Sequence, residues 1–212
     1  MKGPSKGLLI VFEGIDGTGK STQLALLAEE LSKRGYPVVT TREPTSGRYG
    51  QEIRKLYLDR TSCSPAEELR LFIEDRRQHV REVLAPALAN GKIVLCDRYF
   101  LSTVAYQGAN GFAVEEILAQ NSFAPEPDLA LLFQAPLAVG ISRITGERGD
   151  ILNDFEKAET LARVAEIFNS LTHPSIRKID AAGPMAVVQE NVLSVVLPLL
   201  TTCGGQCLPE PV

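Results

Sequence analysis

The stretch Gly14-Ile-Asp-Gly-Thr-Gly-Lys-Ser21 fits the pattern G-x-x-x-x-G-K-[ST] and directly follows the apolar run Gly-Leu-Leu-Ile-Val-Phe at 7–12. In a strand-loop-helix context this pattern binds phosphate. Its glycines let consecutive backbone N–H groups turn inward around phosphate oxygens at a helix N-terminus. Lys20 would neutralise the β- and γ-phosphates, and Ser21 would hold Mg²⁺. The alternative is a glycine-rich turn without a ligand, but the strand and the helix both lie where the phosphate-binding pattern requires them.

The sequence therefore predicts a phosphate loop that opens the first helix. The residues predicted to surround the nucleotide phosphates are Gly14, Ile15, Asp16, Gly17, Thr18, Gly19, Lys20, Ser21 and Thr22.

Composition and charge narrow the class of protein. A chain of 212 residues with 44% hydrophobic residues can bury a full core, and we expect one domain over 1–200. No apolar stretch reaches the roughly 18 residues of a membrane span, and residues 1–7 lead into a strand, so we expect a cytoplasmic protein that binds no membrane. The net charge of −4 offers no broad basic surface, which argues against stable binding to nucleic acid.

The cysteines show neither metal-ligand spacing nor a disulfide framework, which agrees with a reducing compartment. Cys203 and Cys207 are a candidate pair, although two free thiols are the simpler interpretation. Both lie in the segment 201–212, which is rich in Gly and Pro and which we predict to be a poorly ordered tail. His79 and His173 are interpreted as ordinary helix and loop residues.

Short apolar runs alternate with helical patterns, which is typical of βαβ units on a mainly parallel sheet. The predicted strands lie at 8–12, 38–41, 93–96, 129–133 and 176–179. One predicted helix starts in the phosphate loop and continues through 23–33, and the others lie at 65–88, 114–120, 137–144, 155–171 and 184–200. Pro86 is expected to kink or end the long helix. The predicted fold class is α/β, a five-stranded mainly parallel sheet flanked by helices.

The segment Leu95-Cys-Asp-Arg-Tyr-Phe-Leu-Ser-Thr-Val-Ala-Tyr-Gln107 lies at the end of the third predicted strand, and here the chain resembles the thymidylate kinases. Further landmarks of that family fall on Thr41-Arg-Glu-Pro44, Phe72 with Arg76, Pro127-Asp128 and Asp180-Ala181. The resemblance covers nearly all of 7–200. It implies a P-loop nucleoside-monophosphate kinase fold with a lid at about 143–156. It also implies a homodimeric enzyme that uses Mg²⁺ and moves the γ-phosphate of ATP onto dTMP, giving dTDP.

Three charged residues near the phosphate loop are candidates for contact with the reacting groups. Asp97 closes an apolar strand, where its carboxylate can reach Mg²⁺ or its waters; a helix N-cap is the alternative. The resemblance assigns Arg98 to the phosphate of dTMP, although a surface ion pair would also explain it. In similar proteins the acid at Asp16 contacts the sugar 3′-hydroxyl and the metal shell, and a solvated loop residue is the alternative.

The charges that follow the second predicted strand also point to the acceptor. Arg42, Glu43 and Pro44 leave that strand together, and the family interpretation lets Arg42 or Glu43 line the acceptor site while Pro44 fixes the turn. Arg54 matches an arginine that approaches the dTMP phosphate. A loop charge pair and a solvated helix face are the ordinary explanations.

Candidate contacts to the base come from two further segments. Phe72 and Arg76 are four residues apart, so on one helix they can converge on one base. The resemblance suggests that Phe72 stacks on thymine and that Arg76 hydrogen-bonds its O4, whereas Phe72 alone could belong to the core. Thr103 and Gln107 are candidate polar contacts to the base, and Tyr106 lies where similar kinases exclude a ribose 2′-hydroxyl. Structural packing is the alternative for these three.

Arg143 and Arg148 flank Ile-Thr-Gly-Glu, where the family carries a mobile lid. A lid arginine stabilises charge on the transferring phosphoryl group and excludes water. Because Gly17 leaves no competing arginine in the phosphate loop, the pattern resembles the bacterial type; a solvated loop is the alternative. The residues predicted to be catalytic are Lys20, Arg98, Asp16, Arg143 and Arg148.

The lid region also departs from the family pattern. Bacterial members usually follow the lid arginines with Asp-Arg-x-Glu, whereas here Asp150, Asp154 and Glu156 are the candidate substitutes and the second arginine is missing. Ala165 and Phe168 stand where an arginine and a tyrosine are common. These losses leave two other functions open: a kinase for another small nucleotide or nucleoside, and a catalytically weakened regulatory protein that binds dTMP.

Overall fold

The computed structural model describes residues 7–57, 62–147 and 158–207, and in this part all strands form one parallel sheet. The strands are β1 (Leu8–Glu13), β2 (Val38–Arg42), β3 (Ile93–Asp97), β4 (Leu129–Gln134) and β5 (Ile176–Asp180). Their order across the sheet is β2-β3-β1-β4-β5. The predicted α/β class and the five predicted strands are confirmed, and each strand continues one residue past its predicted end.

Helices flank both faces of the sheet. They are α1 (Lys20–Lys33), α2 (Arg48–Leu56), α3 (Pro65–His79), α4 (Ala85–Ala89), α5 (Phe100–Gly108), α6 (Val114–Gln120), α7 (Leu137–Ser142), α8 (Ala158–Ser170) and α9 (Met185–Cys207). A π-helical turn, Val80–Leu84, joins α3 to α4, and a second one, Arg143–Glu147, follows α7. None of these helices, as far as the chain is described, is long and apolar enough to cross a membrane.

Three helix predictions need correction. The helices α2 and α5 were not predicted; α5 is buried on every side from Phe100 to Gln107, so its sequence lacks the polar stripe that signals a surface helix. The predicted end of the last helix at 200 is wrong, because helical backbone continues to Cys207. Pro198 and the glycines of this segment lower helix propensity without excluding a helix. The side chains of Cys203 and Cys207 lie outside the described residues.

The predicted long helix 65–88 is present, and Pro86 does not end it. Ser64 caps its start, with its Oγ accepting a hydrogen bond from the backbone N–H of Glu67 at 3.2 Å and proline at the first helical position. Proline has no N–H, and its ring collides with the carbonyl of the preceding helical turn. The π-helical turn Val80–Leu84 lies where that collision would occur, so the helix widens there and continues.

Two apolar layers enclose the sheet and protect the edge where the site forms. On one face α1 and α9 pack against the sheet, and on the other α5 and α8 do so. The strands β1 and β3 are buried along their whole length. Both end in a carboxylate, Glu13 and Asp97, so two acidic side chains enter a protected region at the carboxyl edge of the sheet.

Gly14 lets the phosphate loop leave β1. Its φ angle is 131°, and a Cβ built on it would lie 2.4 Å from the carbonyl oxygen of Phe133 in the neighbouring strand. An L side chain at this position would therefore face both backbone strain and a collision with main-chain atoms that cannot move independently.

We expect Gly14→Ala to destabilise the fold far more than Gly35→Ala. Gly35 has a φ of 83°, and a Cβ there would meet no atom within 4 Å, so alanine costs only backbone strain, about 1 kcal/mol. Alanine at Gly14 adds the collision, and we expect a loss of about 3 kcal/mol or more in the free energy of unfolding. Urea denaturation measures both variants; equal losses would contradict the steric argument.

Candidate active site

The carboxyl edge of the sheet brings the phosphate loop next to the end of β3. In the parallel pairing of β1 with β3, Phe12 lies opposite Asp97, and the N–H of Arg98 donates to the carbonyl oxygen of Phe12 at 2.9 Å. The loop that begins at Gly14 therefore starts beside Asp97 and Arg98.

Inside the phosphate loop, the Lys20 ammonium lies against the loop backbone, and both are predicted to bind phosphate. Its Nζ donates to the carbonyl oxygen of Ile15 at 2.7 Å, and Thr18 Oγ1 donates to the same oxygen at 2.8 Å. Burial and the charge of Arg98, opposed by the charge of Asp16, lower the pKa of Lys20 to about 8. An anionic ligand would favour the charged form of this lysine.

Ser21 and Asp97, the two predicted Mg²⁺ ligands, are in contact at the start of α1. Ser21 Oγ donates a hydrogen bond to Oδ2 of Asp97. Asp97 is not a helix N-cap, because the N-cap of α5 is Tyr99. Within the described ranges, no three His, Cys, Asp or Glu side chains are grouped so that they could hold a metal ion. This donor set fits Mg²⁺, which takes one or two carboxylates and completes its shell with phosphates and water.

Arg98 links the phosphate loop to the turn after β3. Its Nη2 donates to Oδ1 of Asp16 at 2.7 Å, and its Nη1 donates to the carbonyl oxygen of Gly14 at 3.2 Å. The two side chains are only 17% and 27% exposed, so this is a partly buried pair between two segments and not a surface ion pair. The φ angle of Arg98 is 69°, a left-handed conformation that is uncommon for a residue with a side chain.

Asp16 is held in its ionised form. Tyr106 donates its hydroxyl hydrogen to Oδ2 of Asp16 at 2.8 Å. Burial opposes ionisation, but the charges of Arg98 and Lys20 and the Tyr106 hydrogen bond outweigh it and hold the pKa of Asp16 well below its ordinary value of 3.8. Burial raises the pKa of Tyr106 far above its ordinary range, so its hydroxyl stays a donor.

A cavity of about 200 Å³ lies between the phosphate loop, β2, α3 and α5. It brings together all the predicted substrate-binding residues except Arg54. Those on its wall are Asp16, Glu43, Phe72, Arg76, Arg98, Thr103, Tyr106 and Gln107. Tyr57, Tyr99 and Ser102 also line it and were missed, because nothing in the sequence distinguishes an aromatic or a serine on a cavity wall from one in the core.

Arg54 supports the turn beside the cavity and does not line it. Its Nη1 donates to the carbonyl oxygen of Thr45 at 2.6 Å, and its Nη2 donates to that of Pro44 at 2.7 Å. The peptide bond between Glu43 and Pro44 is cis. The guanidinium thus braces the backbone that presents Glu43, and its predicted contact with an acceptor phosphate is not part of this geometry.

Arg76 is completely buried at the base of the cavity and is anchored by three side chains. Its Nη1 donates to Asn121 Oδ1 at 2.6 Å, and its Nη2 donates to Glu43 and to Thr103 Oγ1, the latter at 3.0 Å. Its guanidinium also lies 5.2 Å from the centre of the Tyr99 ring. Its Nε has no hydrogen-bond partner among the described residues.

His79 is not the ordinary helix residue that the sequence suggested. It is 2% exposed, its Nδ1 lies 2.9 Å from Glu43 Oε1, and its Nε2 lies 2.7 Å from Thr41 Oγ1. The carboxylate of Glu43 is therefore shared between His79 and Arg76. The signal available in the sequence was the spacing of Arg76 and His79, which places both on one face of α3.

Two further candidates for contact with the base, Gln107 and Phe72, differ in the contacts that their side chains make with neighbouring residues. Gln107 is buried and donates its amide to Glu68 Oε1 at 2.6 Å, and its own oxygen accepts from Asn110 at 3.3 Å. Phe72 is partly buried, packs on the core and reaches the cavity wall, so its packing role is confirmed and its stacking on a base stays a prediction.

Of the two predicted lid arginines, Arg143 belongs to the part of the chain that the structure describes and Arg148 does not. Arg143 Nη1 donates to the carbonyl oxygen of Ala181 at 2.9 Å, in the loop after β5 and away from the wall of the cavity. Arg148, Asp150, Asp154 and Glu156 lie outside the described residues. Ala165 and Phe168, the departures on α8, line a second cavity of about 300 Å³ beside Gly14 and Ile15.

The sequence of the chain matches one family of known proteins. The family model described as thymidylate kinase matches residues 12–192. A thymidylate kinase of Desulfotalea psychrophila is 57% identical over 194 residues, covering 92% of this chain and 96% of that protein. Thymidylate kinases of Xylella fastidiosa and Xanthomonas campestris pv. campestris are 43% and 44% identical, each over 92% of this chain and over 88% and 85% of their own lengths.

We expect the stability lost in Asp16→Asn to depend on pH. Because the folded-state pKa of Asp16 is depressed, its contribution to stability is complete above its ordinary value of 3.8 and is lost as the pH falls toward the folded value. Urea denaturation should therefore show a clear loss at pH 7 and a smaller one at pH 3. The exposed Glu29→Gln serves as the control. A loss at Asp16 that is equal at both pH values would count against the ion pair.

Proposed function

We propose that this chain, which belongs to the thymidylate kinase family, transfers the γ-phosphoryl group of ATP to dTMP and forms dTDP. The observation that carries this function is the position of Arg98. Its guanidinium lies on the wall of the acceptor cavity and at the same time binds Gly14 and Asp16 of the phosphate loop. An acceptor phosphate bound there would lie beside the end of the donor triphosphate.

The site residues support catalysis by alignment and charge stabilisation. The backbone N–H groups of the loop and the Lys20 ammonium would bind the β- and γ-phosphates, and Arg98 would bind the acceptor phosphate through its forked N–H groups. The attacking oxygen of dTMP is already anionic near neutral pH, so the reaction needs no general base. Asp16, held ionised between Arg98 and Tyr106, would accept a hydrogen bond from the sugar 3′-hydroxyl.

For the base, we propose that Phe72 stacks on thymine and that the arginine network beneath it reads the polar edge. Glu43, Asn121 and Thr103 hold Arg76 in one place, so its guanidinium is presented without much loss of conformational entropy on binding. Stacking on an aromatic ring contributes about 1–3 kcal/mol per base. Tyr106, fixed by Asp16 and close to Arg98, is placed where it would exclude a ribose 2′-hydroxyl.

We propose Mg²⁺ as the metal, held by Ser21 and Asp97 together with the phosphates of ATP. When bound, it would neutralise charge on the transferring group. Arg143 and Arg148 stay candidates for the lid arginine, and the single domain over 1–200 with a lid at 143–156 stays a prediction. The homodimer and the cytoplasmic location also remain proposals, supported by the resemblance to the family; light scattering on the purified chain tests the dimer.

A coupled assay of ADP release tests the proposed function. We expect turnover with ATP, Mg²⁺ and dTMP, and much less with CMP, AMP or thymidine, because Phe72 and Arg76 select the base and Arg98 requires a phosphate. dUMP, which lacks only the methyl group, should be a weaker acceptor by about tenfold. Tight binding of dTMP without dTDP formation, or a preference for another acceptor, would contradict the proposal.

We expect Arg98→Ala to abolish transfer while the protein stays folded. The variant loses the contact to the acceptor phosphate and the link to Asp16, so kcat/KM should fall by about 10³-fold or more. Arg34→Ala, which removes an exposed partner of Glu30, is the matched control and should keep full activity. The coupled assay and a thermal melt measure both variants. Near-normal turnover of folded Arg98→Ala would contradict the assignment.

A further inference from the structure

Glu13 is a buried carboxylate that the proposed mechanism does not use. It ends β1, whose other residues, 8–12, are all apolar, and its exposed fraction is 0%. Both of its oxygens accept a hydrogen bond: Oε1 from the backbone N–H of Tyr99 at 3.0 Å, and Oε2 from Ser102 Oγ. A buried carboxylate is costly even when it is hydrogen-bonded, so its presence here calls for a role beyond packing.

The first of these hydrogen bonds holds the backbone around Arg98. Arg98 has a φ of 69°, which costs of order 1–3 kcal/mol for a residue with a side chain and persists only where the surroundings enforce it. The N–H of Arg98 donates to Phe12, and the next N–H, that of Tyr99, donates to Glu13. The last two residues of β1 thus hold both peptide groups of this strained turn.

The second hydrogen bond reaches the Arg98 side chain through a serine. Ser102 Oγ donates its single hydrogen to Glu13 and accepts a hydrogen bond from Arg98 Nη1 at 3.0 Å. Because the hydroxyl hydrogen points to the carboxylate, the serine lone pairs are left to receive the guanidinium. Glu13 therefore sets the direction of the hydrogen bonds that run from Arg98 through Ser102 to its own carboxylate.

We propose that Glu13 is a positioning residue, whose ionised carboxylate holds the Arg98 turn and guanidinium in the geometry that receives the acceptor phosphate. This inference rests on the proposed function, because it takes Arg98 as the group that binds the phosphate of dTMP. Glu13 acts through Tyr99 and Ser102 and touches neither substrate.

The two hydrogen bonds are satisfied only when both terminal atoms of the side chain at position 13 accept a hydrogen bond. A glutamine has one oxygen and one amide group, so in either orientation it leaves the Ser102 hydrogen or the Tyr99 N–H without its acceptor. A protonated carboxyl group carries the same conflict. Burial raises the pKa of Glu13 to about 7, opposed by the Ser102 hydrogen bond and by the charges of Arg98 and Arg76. Lys20 and Cys96 are two further titratable groups that interact with it electrostatically.

Glu13→Gln tests the proposal, because it keeps the volume of the side chain and removes the second acceptor. At pH 8 we expect kcat/KM for dTMP to fall by about 10²-fold and the Kd of dTMP to rise by about tenfold, while the Kd of ATP changes little. Glu29→Gln, at an exposed glutamate on α1, is the control and should match the unmodified chain in all three.

The pH profile separates positioning from simple structural support. Because the pKa of Glu13 is about 7, the ratio of kcat/KM between the unmodified chain and Glu13→Gln should fall about tenfold from pH 8 to pH 6, where roughly a tenth of Glu13 stays ionised. The second ionisation of the dTMP phosphate, near pH 6, affects both proteins and cancels in the ratio. A ratio that does not change with pH, or a parallel loss of ATP affinity and melting temperature, would overturn the proposal.

Ser102→Ala removes the link between Glu13 and the guanidinium, and in the double variant its loss should add little to that of Glu13→Gln. If Glu13→Gln does not fold, Ser102→Ala decides: unchanged kcat/KM and unchanged Kd of dTMP would overturn the inference. An unmodified chain that binds dTMP but forms no dTDP would contradict the proposed function, and the dTMP affinities of the variants would still decide the role of Glu13.

Discussion

The ion pair between Arg98 and Asp16, 2.7 Å long, fixes the donor and acceptor parts of the site relative to each other. Asp16 belongs to the loop after β1 and Arg98 to the turn after β3. The pair is short because these two strands are neighbours in a parallel sheet, so their carboxyl ends lie side by side. A partly buried ion pair gains little unless further hydrogen bonds satisfy its remaining atoms. Gly14, Ser102 and Tyr106 supply them here, and each belongs to an element that the sheet already positions.

In the part of the site that would bind the acceptor, charged side chains also hold one another through hydrogen bonds. These groups are more numerous and more deeply buried than Arg98 and Asp16. Glu43 is almost fully buried and shared by Arg76 and His79, and Asn121 binds the other Nη atom of the arginine. Networks of this kind contribute little to stability, because desolvation offsets most of the attraction, but they define one geometry. The apolar layers on the two faces of the sheet must supply the net stability, and the polar network determines where the base-binding arginine lies.

Much of this arrangement could be predicted from the sequence, because strands, a phosphate loop and charges at strand ends are local patterns. Lys20, Ser21 and Asp97 are recognisable from their place after an apolar run, whereas the predicted role of Arg98 came from the resemblance to a known family. Helix α5 was missed because a helix buried on all sides has no amphipathic period. Glu13 was missed because its partner Ser102 lies 89 positions away in the chain, which local patterns cannot reveal. His79 shares a face of α3 with Arg76, but its partner Glu43 lies 36 positions away, so the spacing alone did not identify its role. The phosphate contact of Arg54 stays a prediction: the structure shows hydrogen bonds to two neighbouring carbonyl oxygens, and one helix face accommodates a bond to a ligand or to such a carbonyl equally well.

Lys20, Arg76 and Arg98 are three cationic side chains of the site. The groups that they bind indicate how phosphate binding is coupled to the alignment of donor and acceptor. Lys20 binds the carbonyl oxygen of Ile15, and one nitrogen of Arg98 binds that of Gly14, so both use neutral acceptors of the phosphate loop itself. In these bonds only the donor is charged, whereas a phosphate oxygen adds a negative charge on the other side and attracts the cation more strongly. An incoming phosphate can therefore compete with these carbonyls, whereas it competes poorly with the carboxylates that hold Arg76 and the second nitrogen of Arg98. Binding then redirects only the contacts to these two carbonyl oxygens of the loop, and the hydrogen bond from Arg98 to Ser102 is kept. The ionic contacts stay in place, and they are the ones that set the distance between donor and acceptor.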